Sequence, residues 1–395
     1  MKLFLIKIGK AFCTIRRDGF FRGGKRVATS FFALFGKVGK GDILIVTGGV
    51  GDSARYRAHH VAEELRIQGF KVSVTVQDNP FLVSYVSKFS VFIFHRTLFT
   101  KSIAKLTKQI KKQQKELIFE TDDLVYDPKF LKFMDYYQKM NSLEKKLYEN
   151  GVGGEIIRDD YVKVCTTTTT FLANKLEKEG KKVFIVKNKL SKEDVEWSKE
   201  ILKKQSNRKV DEIVIGYFSG TISHNKDFAT ITKALTEVFK KHPQVKLLLV
   251  GPLDLDHSLV KSFGDRIIST PYVPRKKHFE NIAKVDINIS PLEKDNPFCE
   301  GKSELKFFEA GILKIPTVAT ATQTFCEAIE DGIDGFVAHD TKEWIEKLEK
   351  LILDKKERQM IGQKAFEKTL KNYCTENAKN DEYYQYLKNK INEVE

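Results

Sequence analysis

The chain has 395 residues, more than one hydrophobic core usually serves, so two domains of ordinary size are expected. Its 41% hydrophobic and 31% charged residues describe a soluble globular protein, and five scattered cysteines with no C-x-x-C pair argue against a zinc site or a disulfide framework and fit a reduced, cytoplasmic compartment. A net charge of +15 suits an anionic partner: nucleic acid, a phosphorylated substrate or a membrane face.

Residues 1–40 carry much of that charge. Lys2, Lys7, Lys10, Arg16, Arg17, Arg22, Lys25, Arg26, Lys37 and Lys40 stand against the single acid Asp18, with Phe4, Phe12, Phe20, Phe21, Phe31, Phe32 and Phe35 between them. The arm lacks the long uncharged run of a transmembrane helix and a convincing signal-peptide core. It reads as an interfacial segment for an anionic membrane surface, the alternative being a basic extension packed on the first domain.

From Gly41 short apolar runs alternate with amphipathic stretches, the pattern of parallel α/β units. Strands are expected near residues 43–47, 71–76, 91–95, 117–120, 162–167 and 183–187, with helices over 54–68, 103–114 and 129–148. These form a Rossmann-like domain over residues 41–195. A polar, lysine-rich stretch follows, and the linker is placed at 196–209. The alternation restarts with strands near 212–218, 245–250, 287–291, 317–320 and 335–337 and helices over 229–241, 278–283 and 304–313. This second Rossmann-like domain spans 210–370, and a final helix lies within 371–395. Two doubly wound domains put their ligand crevices at strand carboxyl ends.

The residue pattern offers several sites. After the first strand, GGVGDSARYRAHH supplies Gly48, Gly49 and Gly51, and Arg55, Arg57, His59 and His60 are expected to point from the next helix toward anionic groups. The same stretch fits a weak dinucleotide fingerprint, G-x-G-x-x-A over Gly49, Gly51 and Ala54, with Asp78 beyond the next strand. His95 closes one strand and can face the cleft, although a lone His at such a place is more often structural. Another strand ends in Glu120, Thr121, Asp122 and Asp123, where Asp122 or Asp123 can accept hydrogen bonds from sugar hydroxyls or cap the following turn. In the second domain, IGYFSGTISHNKDF offers Ser219, Gly220 and Thr221 for close approach and hydroxyl donors, and Lys226 for charge. Downstream, NPFCEGKSELKFFEAGILKIPTVAT carries Glu300, Lys302, Ser303, Lys306 and Glu309. Ser303 can cap a helix from about Glu304, whose amides would bind an anion. Lys302, Lys306 and Glu309 then fall on one face, away from Leu305, Phe308 and Ile312. The bland reading is a solvated face with a Lys306/Glu309 pair. No cluster has metal-ligand spacing.

The segment Asn296 to Thr320 resembles the donor-nucleotide motif of retaining glycosyltransferases of the GT-B fold, family four, in which two Glu eight positions apart precede a small-residue, Gly and Pro-Val run. The resemblance makes Glu309 the residue that holds the ribose hydroxyls. The family's first Glu falls on Gly301, with Glu300 one residue early. Lys226 matches a phosphate-binding Lys, whereas the family's common Arg six residues earlier is Gly220, leaving Lys302, Lys306 or His224 to replace that cation. Gly48, Gly49 and Gly51 resemble the acceptor-side glycine loop. The resemblance implies the GT-B architecture, two Rossmann-like domains facing a cleft with a C-terminal helix crossing back.

The function so implied is transfer of a sugar, with retention, from a nucleotide-diphosphate sugar to a glycan or lipid-linked acceptor in surface polysaccharide synthesis, by a hexosyltransferase. The basic arm adds the expectation of a cytoplasmic enzyme peripheral on the inner face of the membrane. No cofactor is expected, the nucleotide sugar being substrate. Lys226 and Lys302 are assigned to the leaving diphosphate, with Lys306 lying past the phosphates. Asp122 is grouped with the catalytic residues, and Arg55 and His95 with the acceptor side. One rival is a sugar-nucleotide epimerase of the same fold, with Glu120, Asp122 and His95 as acids or bases. Another is a nucleic-acid-binding protein, for which no RNP, helix-turn-helix or zinc motif is present.

Overall fold

A computed structural model describes residues 9, 20–49, 51–134, 137–138, 140–146, 148–204, 212–219, 225–251, 253 and 257–394. Most of the arm before Phe20, and Gly220, Thr221 and His224, therefore lie outside the described residues.

The chain divides into two compact units, one of residues 1–188 with 379–395 and one of residues 189–378. The first holds a parallel sheet of six strands, β1 (Ile43–Thr47), β2 (Val72–Val76), β3 (Val91–His95), β4 (Glu116–Glu120), β5 (Val164–Thr167) and β6 (Lys182–Ile185), in the order β2-β1-β3-β4-β5-β6. The second holds β7 (Ile213–Phe218), β8 (Val245–Val250), β9 (Ile267–Thr270), β10 (Ile287–Ser290), β11 (Thr317–Thr320) and β12 (Phe336–Ala338), in the order β12-β11-β10-β7-β8-β9. Runs such as ILIVT of β1 and VFIFH of β3 are buried at every position because helices cover both faces of a parallel sheet. Each sheet reverses direction once, between β1 and β3 in the first unit and between β7 and β10 in the second. Loops leaving the two strands at such a point diverge and open a crevice at the strand carboxyl ends.

Local chemistry sets many helix starts. The side chains of Thr100, Thr169, Thr322, Asp340 and Asp354 each accept from a backbone N–H of the helix that follows. The last helix, Asp381–Asn392, packs in the first unit: Tyr383 lies 5.2 Å from the Phe184 ring, and the Tyr384 hydroxyl donates to Glu64 at 2.6 Å.

Several expectations change. The stretch read as a linker begins with the helix Lys192–Lys204, which belongs to the second unit. Ser191 and Asp194 start it reciprocally, the Asp194 N–H donating to Ser191 Oγ at 3.2 Å and the Ser191 N–H to the Asp194 carboxylate at 3.3 Å. Lysines obscured the narrow buried stripe of Val195, Ser198 and Ile201. The single helix expected over 129–148 is instead a 3₁₀ segment, Pro128–Phe133, and a short helix, Ser142–Lys146. Met134 is extended at φ −90° and ψ 108°, and Asn141 and Ser142 favour helix starts over interiors. The strand β9 was not expected, since its residues are partly exposed and lack a continuous apolar run.

Arg57 corrects another expectation. Its guanidinium does not point toward a ligand but is fully buried, donating from Nε to Glu120 Oε1 at 2.8 Å and from Nη2 to Oε2 at 2.9 Å. Its other terminal nitrogen donates to the Val186 carbonyl and, at 3.0 Å, to Asn188 Oδ1. His60 is buried beside Tyr56, whereas Arg55 pairs with Asp52 at 2.6 Å on the surface. Arg57→Met should leave the Glu120 carboxylate buried without its cation and lower the unfolding free energy in urea by about 3–5 kcal/mol. Adding Glu120→Gln should recover part of that loss, and an undiminished stability in Arg57→Met would overturn the pairing.

Candidate functional site

In the first unit the polar groups gather at the ends of β1, β3 and β4, beside the reversal point. A Cβ at Gly48 would lie 2.0 Å from the Arg96 carbonyl oxygen, so only glycine lets the two loops pass. Ser53 Oγ donates to Asp122 at 2.8 Å and lies 3.0 Å from His95 Nε2; Nδ1 of the same ring lies 3.0 Å from Thr47 Oγ1. Because the Ser53 proton is directed at Asp122, His95 Nε2 is the donor to Ser53. That order is wrong for a serine nucleophile activated by histidine.

Arg96 is left-handed at φ 45° and sets its guanidinium 2.6 Å from Asp122 and 2.9 Å from Asp123. Burial by itself would raise the Asp122 carboxyl, but Arg96, His95 and Arg57 hold it well below the usual carboxylate range. Asp122 is therefore a fixed anion suited to accepting hydrogen bonds from hydroxyls rather than protons. Asp123 also accepts from the Leu124 N–H at 2.8 Å, capping the turn that follows. Glu120, with Arg57 and Thr166 on its oxygens, is occupied inside the fold.

In the second unit the loops leaving β7 and β10 are stitched together by Asp227. Its Oδ1 accepts from the Glu293 N–H at 3.1 Å and from Cys299 Sγ at 3.2 Å, and its Oδ2 accepts from Lys302 Nζ at 2.9 Å. Lys226, its neighbour in sequence, is exposed on the same short helix, Asn225–Ala229, and Ser219 is buried at the end of β7.

The helix after this loop runs Leu305–Gly311, and Ser303 does not cap it: Glu304 stands at the N-cap position without a side-chain cap. Glu304 instead accepts from the Tyr373 hydroxyl at 3.0 Å, and that tertiary bond sets where the helix begins. Lys302 lies before the helix. Glu309 is buried rather than solvent-facing; Arg275 donates to one of its oxygens, and His278 Nε2 lies 3.2 Å from the other. Arg275 also reaches Asp194 twice, at 3.1 Å each. No Lys306/Glu309 pair forms among the described residues. Glu300 accepts from the Gln323 N–H at 3.2 Å, at the start of the helix Gln323–Ala328.

Lys306 is the exception in this network of paired charges. Its amine sits 5.8 Å from the centre of the Tyr217 ring and engages no carboxylate among the described residues. The buried Tyr217 hydroxyl likewise has no hydrogen-bond partner among them. Burial, and then repulsion from Lys302, push the Lys306 amine down to about 8, against the attraction of Asp227 and Glu309. A cation and a phenol lacking partners at a reversal point are the features of an anion site.

Sequence reasoning missed Asp227, Arg275, His278, Asp194, Ser53 and Arg96. The i,i+3 spacing of Arg275 and His278 just after Pro274 was the available signal, since it puts both on one helix face. Nothing local marks Asp227 as a tie between loops.

The two parallel six-stranded sheets are Rossmann-like units of the GT-B fold, and the solved structures similar to this chain share it. HepE of Anabaena in complex with UDP is 14% identical with a TM-score of 0.56, over 88% of this chain and 100% of that one. A glycosyltransferase of Rickettsia africae is 15% identical with a TM-score of 0.59, over 89% and 99%. Sucrose-phosphate synthase of Thermosynechococcus elongatus is 11% identical with a TM-score of 0.58, over 89% and 98%. Residues 212–354 match the family model described as Glycosyl transferases group 1, a stretch that holds Lys226, Asp227, Lys302, Lys306 and Glu309. The chain is 28% identical over 158 residues to the capsular polysaccharide biosynthesis glycosyltransferase CapM of Staphylococcus aureus, covering 38% of this chain and 40% of that relative's length.

The Lys306 amine makes stability depend on pH in a defined direction. Its folded-state value lies below that of an unfolded lysine, so between the two the unfolded chain holds more protons and stability rises with pH from about 8 upward. Below about 8 the penalty of the buried charge is present in full. Lys306→Met should therefore be more stable than the parent at pH 7, and that advantage should shrink by about pH 10 in urea unfolding. An advantage equal at both pH values would assign the penalty elsewhere.

Proposed function

We propose that this protein is a glycosyltransferase moving a sugar, with retention, from a nucleotide-diphosphate sugar to a glycan or lipid-linked acceptor in surface polysaccharide synthesis. The observation that carries the reading is Lys306, an ammonium without a carboxylate partner among the described residues, in the stretch similar to a glycosyltransferase family. The relative named for capsular polysaccharide synthesis and the fold neighbour solved with UDP support the choice of process and of donor class.

Charge accounting assigns the roles. A leaving nucleoside diphosphate brings about two to three negative charges into a sheltered site, and preorganised cations there act where charge develops. Lys306 offers an uncompensated charge, Lys226 an exposed one, and Lys302 one already offset by Asp227. The second cation is therefore Lys306 rather than Lys302, and Lys302 positions the loop through Asp227. Ser219 and Ser303 serve the phosphate side of the donor, and Gly220, Thr221 and His224 are assigned to donor binding by their place in the sequence. Glu309 serves the ribose hydroxyls: a carboxylate has about four acceptor positions, and Arg275 and His278 fix its orientation using two. Glu300 faces the donor sugar.

The diphosphate departs toward Lys306 and Lys226, the acceptor hydroxyl attacks on the leaving-group face, and its proton passes to a phosphate oxygen. No carboxylate base is needed, which agrees with the depressed Asp122. Asp122, His95, Arg55 and the loop Gly48, Gly49 and Gly51 belong to the acceptor side, where Asp122 takes hydrogen bonds from sugar hydroxyls. The arm over residues 1–40 anchors the enzyme to an anionic membrane surface on the cytoplasmic side. No helix among the described residues is long and apolar enough to cross a membrane.

A thermal-shift screen against uridine, guanosine and thymidine diphosphate sugars identifies the donor, since a ligand that binds only the native state raises its apparent stability. With that donor saturating, Lys306→Ala and Lys226→Ala should each lower turnover at least ~10²-fold. Lys302→Ala should fall by less than Lys306→Ala. Normal turnover in Lys306→Ala would remove the charge accounting, and absence of any nucleotide-sugar binding would remove the reading itself.

A further inference from the structure

The helix Lys101–Lys112 buries Ile103, Leu106, Thr107 and Ile110 and leaves Lys101, Lys105, Lys108 and Lys112 exposed. At 100° per residue these four lysines fall within about 60° of one another, opposite the buried stripe, and extend over ~16 Å of helix. None of the four pairs with a carboxylate among the described residues. A lysine stripe alone is an ordinary solvated face; what distinguishes this one is the aromatic surface beside it.

Phe99, next to the helix cap Thr100, is 43% exposed, and Phe81 is 39% exposed at the start of the 3₁₀ segment Leu82–Lys88 on which the lysine helix packs. The same segment receives the end of the arm. Asn79 Nδ2 donates to the Gly36 carbonyl at 2.7 Å, Lys88 Nζ to the Val38 carbonyl at 3.5 Å, and Lys37 Nζ stands 5.5 Å from the centre of the Phe81 ring. Just before it, Phe31, Phe32 and Phe35 are 56%, 73% and 52% exposed. Exposed phenylalanines are costly in water, and lysines without acids repel one another; an apolar medium under an anionic surface relieves both. Nucleic acid would satisfy only the lysines.

We infer that the outer face of the helix Lys101–Lys112, with Phe81 and Phe99, is a docking surface for an anionic lipid bilayer, built into the folded first unit and distinct from the arm. Its position has a consequence for the acceptor. Gln77 donates to the Gly48 carbonyl at 3.4 Å and accepts from the Leu98 N–H at 2.7 Å, so one side chain ties the glycine loop to the segment carrying Phe99. A bilayer on this face lies beside the loop assigned to the acceptor, an inference that rests on the proposed glycosyl transfer, whereas the docking itself does not.

The test is sedimentation of the full chain with phosphatidylcholine vesicles containing phosphatidylglycerol. The variants are Lys101→Gln/Lys105→Gln/Lys108→Gln/Lys112→Gln, Phe81→Ser/Phe99→Ser, and Phe31→Ser/Phe32→Ser/Phe35→Ser in the arm. The lysine variant should bind anionic vesicles at least ~10-fold more weakly at ~0.1 M salt, since each cation near such a surface adds to the attraction and salt screens it. The Phe81/Phe99 variant should also bind more weakly, though its charge is unchanged. Undiminished binding of both, with loss only in the arm variant, would overturn the inference, as would tighter binding of duplex nucleic acid than of vesicles. Thermal unfolding checks that each variant is folded. If the wild type docks through this face yet binds no nucleotide sugar, the surface stands and the proposed transfer falls.

Discussion

A buried charge must find its opposite, and most of the described architecture answers to that constraint. The desolvation cost of an unpaired ion exceeds what packing alone can offset. Buried Lys115 and Arg358 donate to backbone carbonyls, while several cations near the strand ends are held to carboxylates from distant parts of the chain. Arg57 on the helix after β1 meets Glu120 at the end of β4. Arg275 joins Asp194 to Glu309, and Lys302 meets Asp227 across the loops that flank the β7–β10 reversal. These pairs fix loop ends that hydrophobic contacts leave free. The core holds the strands; the ion pairs hold what emerges from them.

Against that background, departures from pairing acquire meaning. The Lys306 amine and the Tyr217 hydroxyl, one resting over the ring of the other, lack the polar partners that neighbouring groups possess. In the first unit the analogous departure is conformational. Arg96 accepts a left-handed backbone, unusual for a side-chain-bearing residue, and so places its guanidinium between two carboxylates. Both features lie at the carboxyl ends of strands that flank a change of direction, where the topology leaves room for a ligand.

Surface chemistry obeys a different rule. Exposed charges need no partner, and their arrangement is free to serve association; the lysine stripe and the phenylalanines beside it belong to this class. The half-buried Lys306 and the exposed lysines are thus suited to different anions, one small and sheltered, the other extended.

The amino-acid sequence by itself determined the α/β class and most strands, and it singled out the stretch in which the nucleotide site is proposed. Uninterrupted apolar runs such as Ile43–Thr47 and Val91–His95 need no tertiary information, because burial on both faces is written into composition. It also marked Lys226, Lys302, Lys306 and Glu309 as one group. Which of them carries free charge was a tertiary decision. Periodicity places residues on a helix face but cannot see that Arg275 and His278, from another helix, close over Glu309, or that Asp227, more than seventy residues upstream, claims Lys302. Nor could it see that Glu304, drawn to Tyr373, would start the helix in place of Ser303. Local rules act within a turn or two of chain, whereas pairing of buried charge is settled only when distant segments meet.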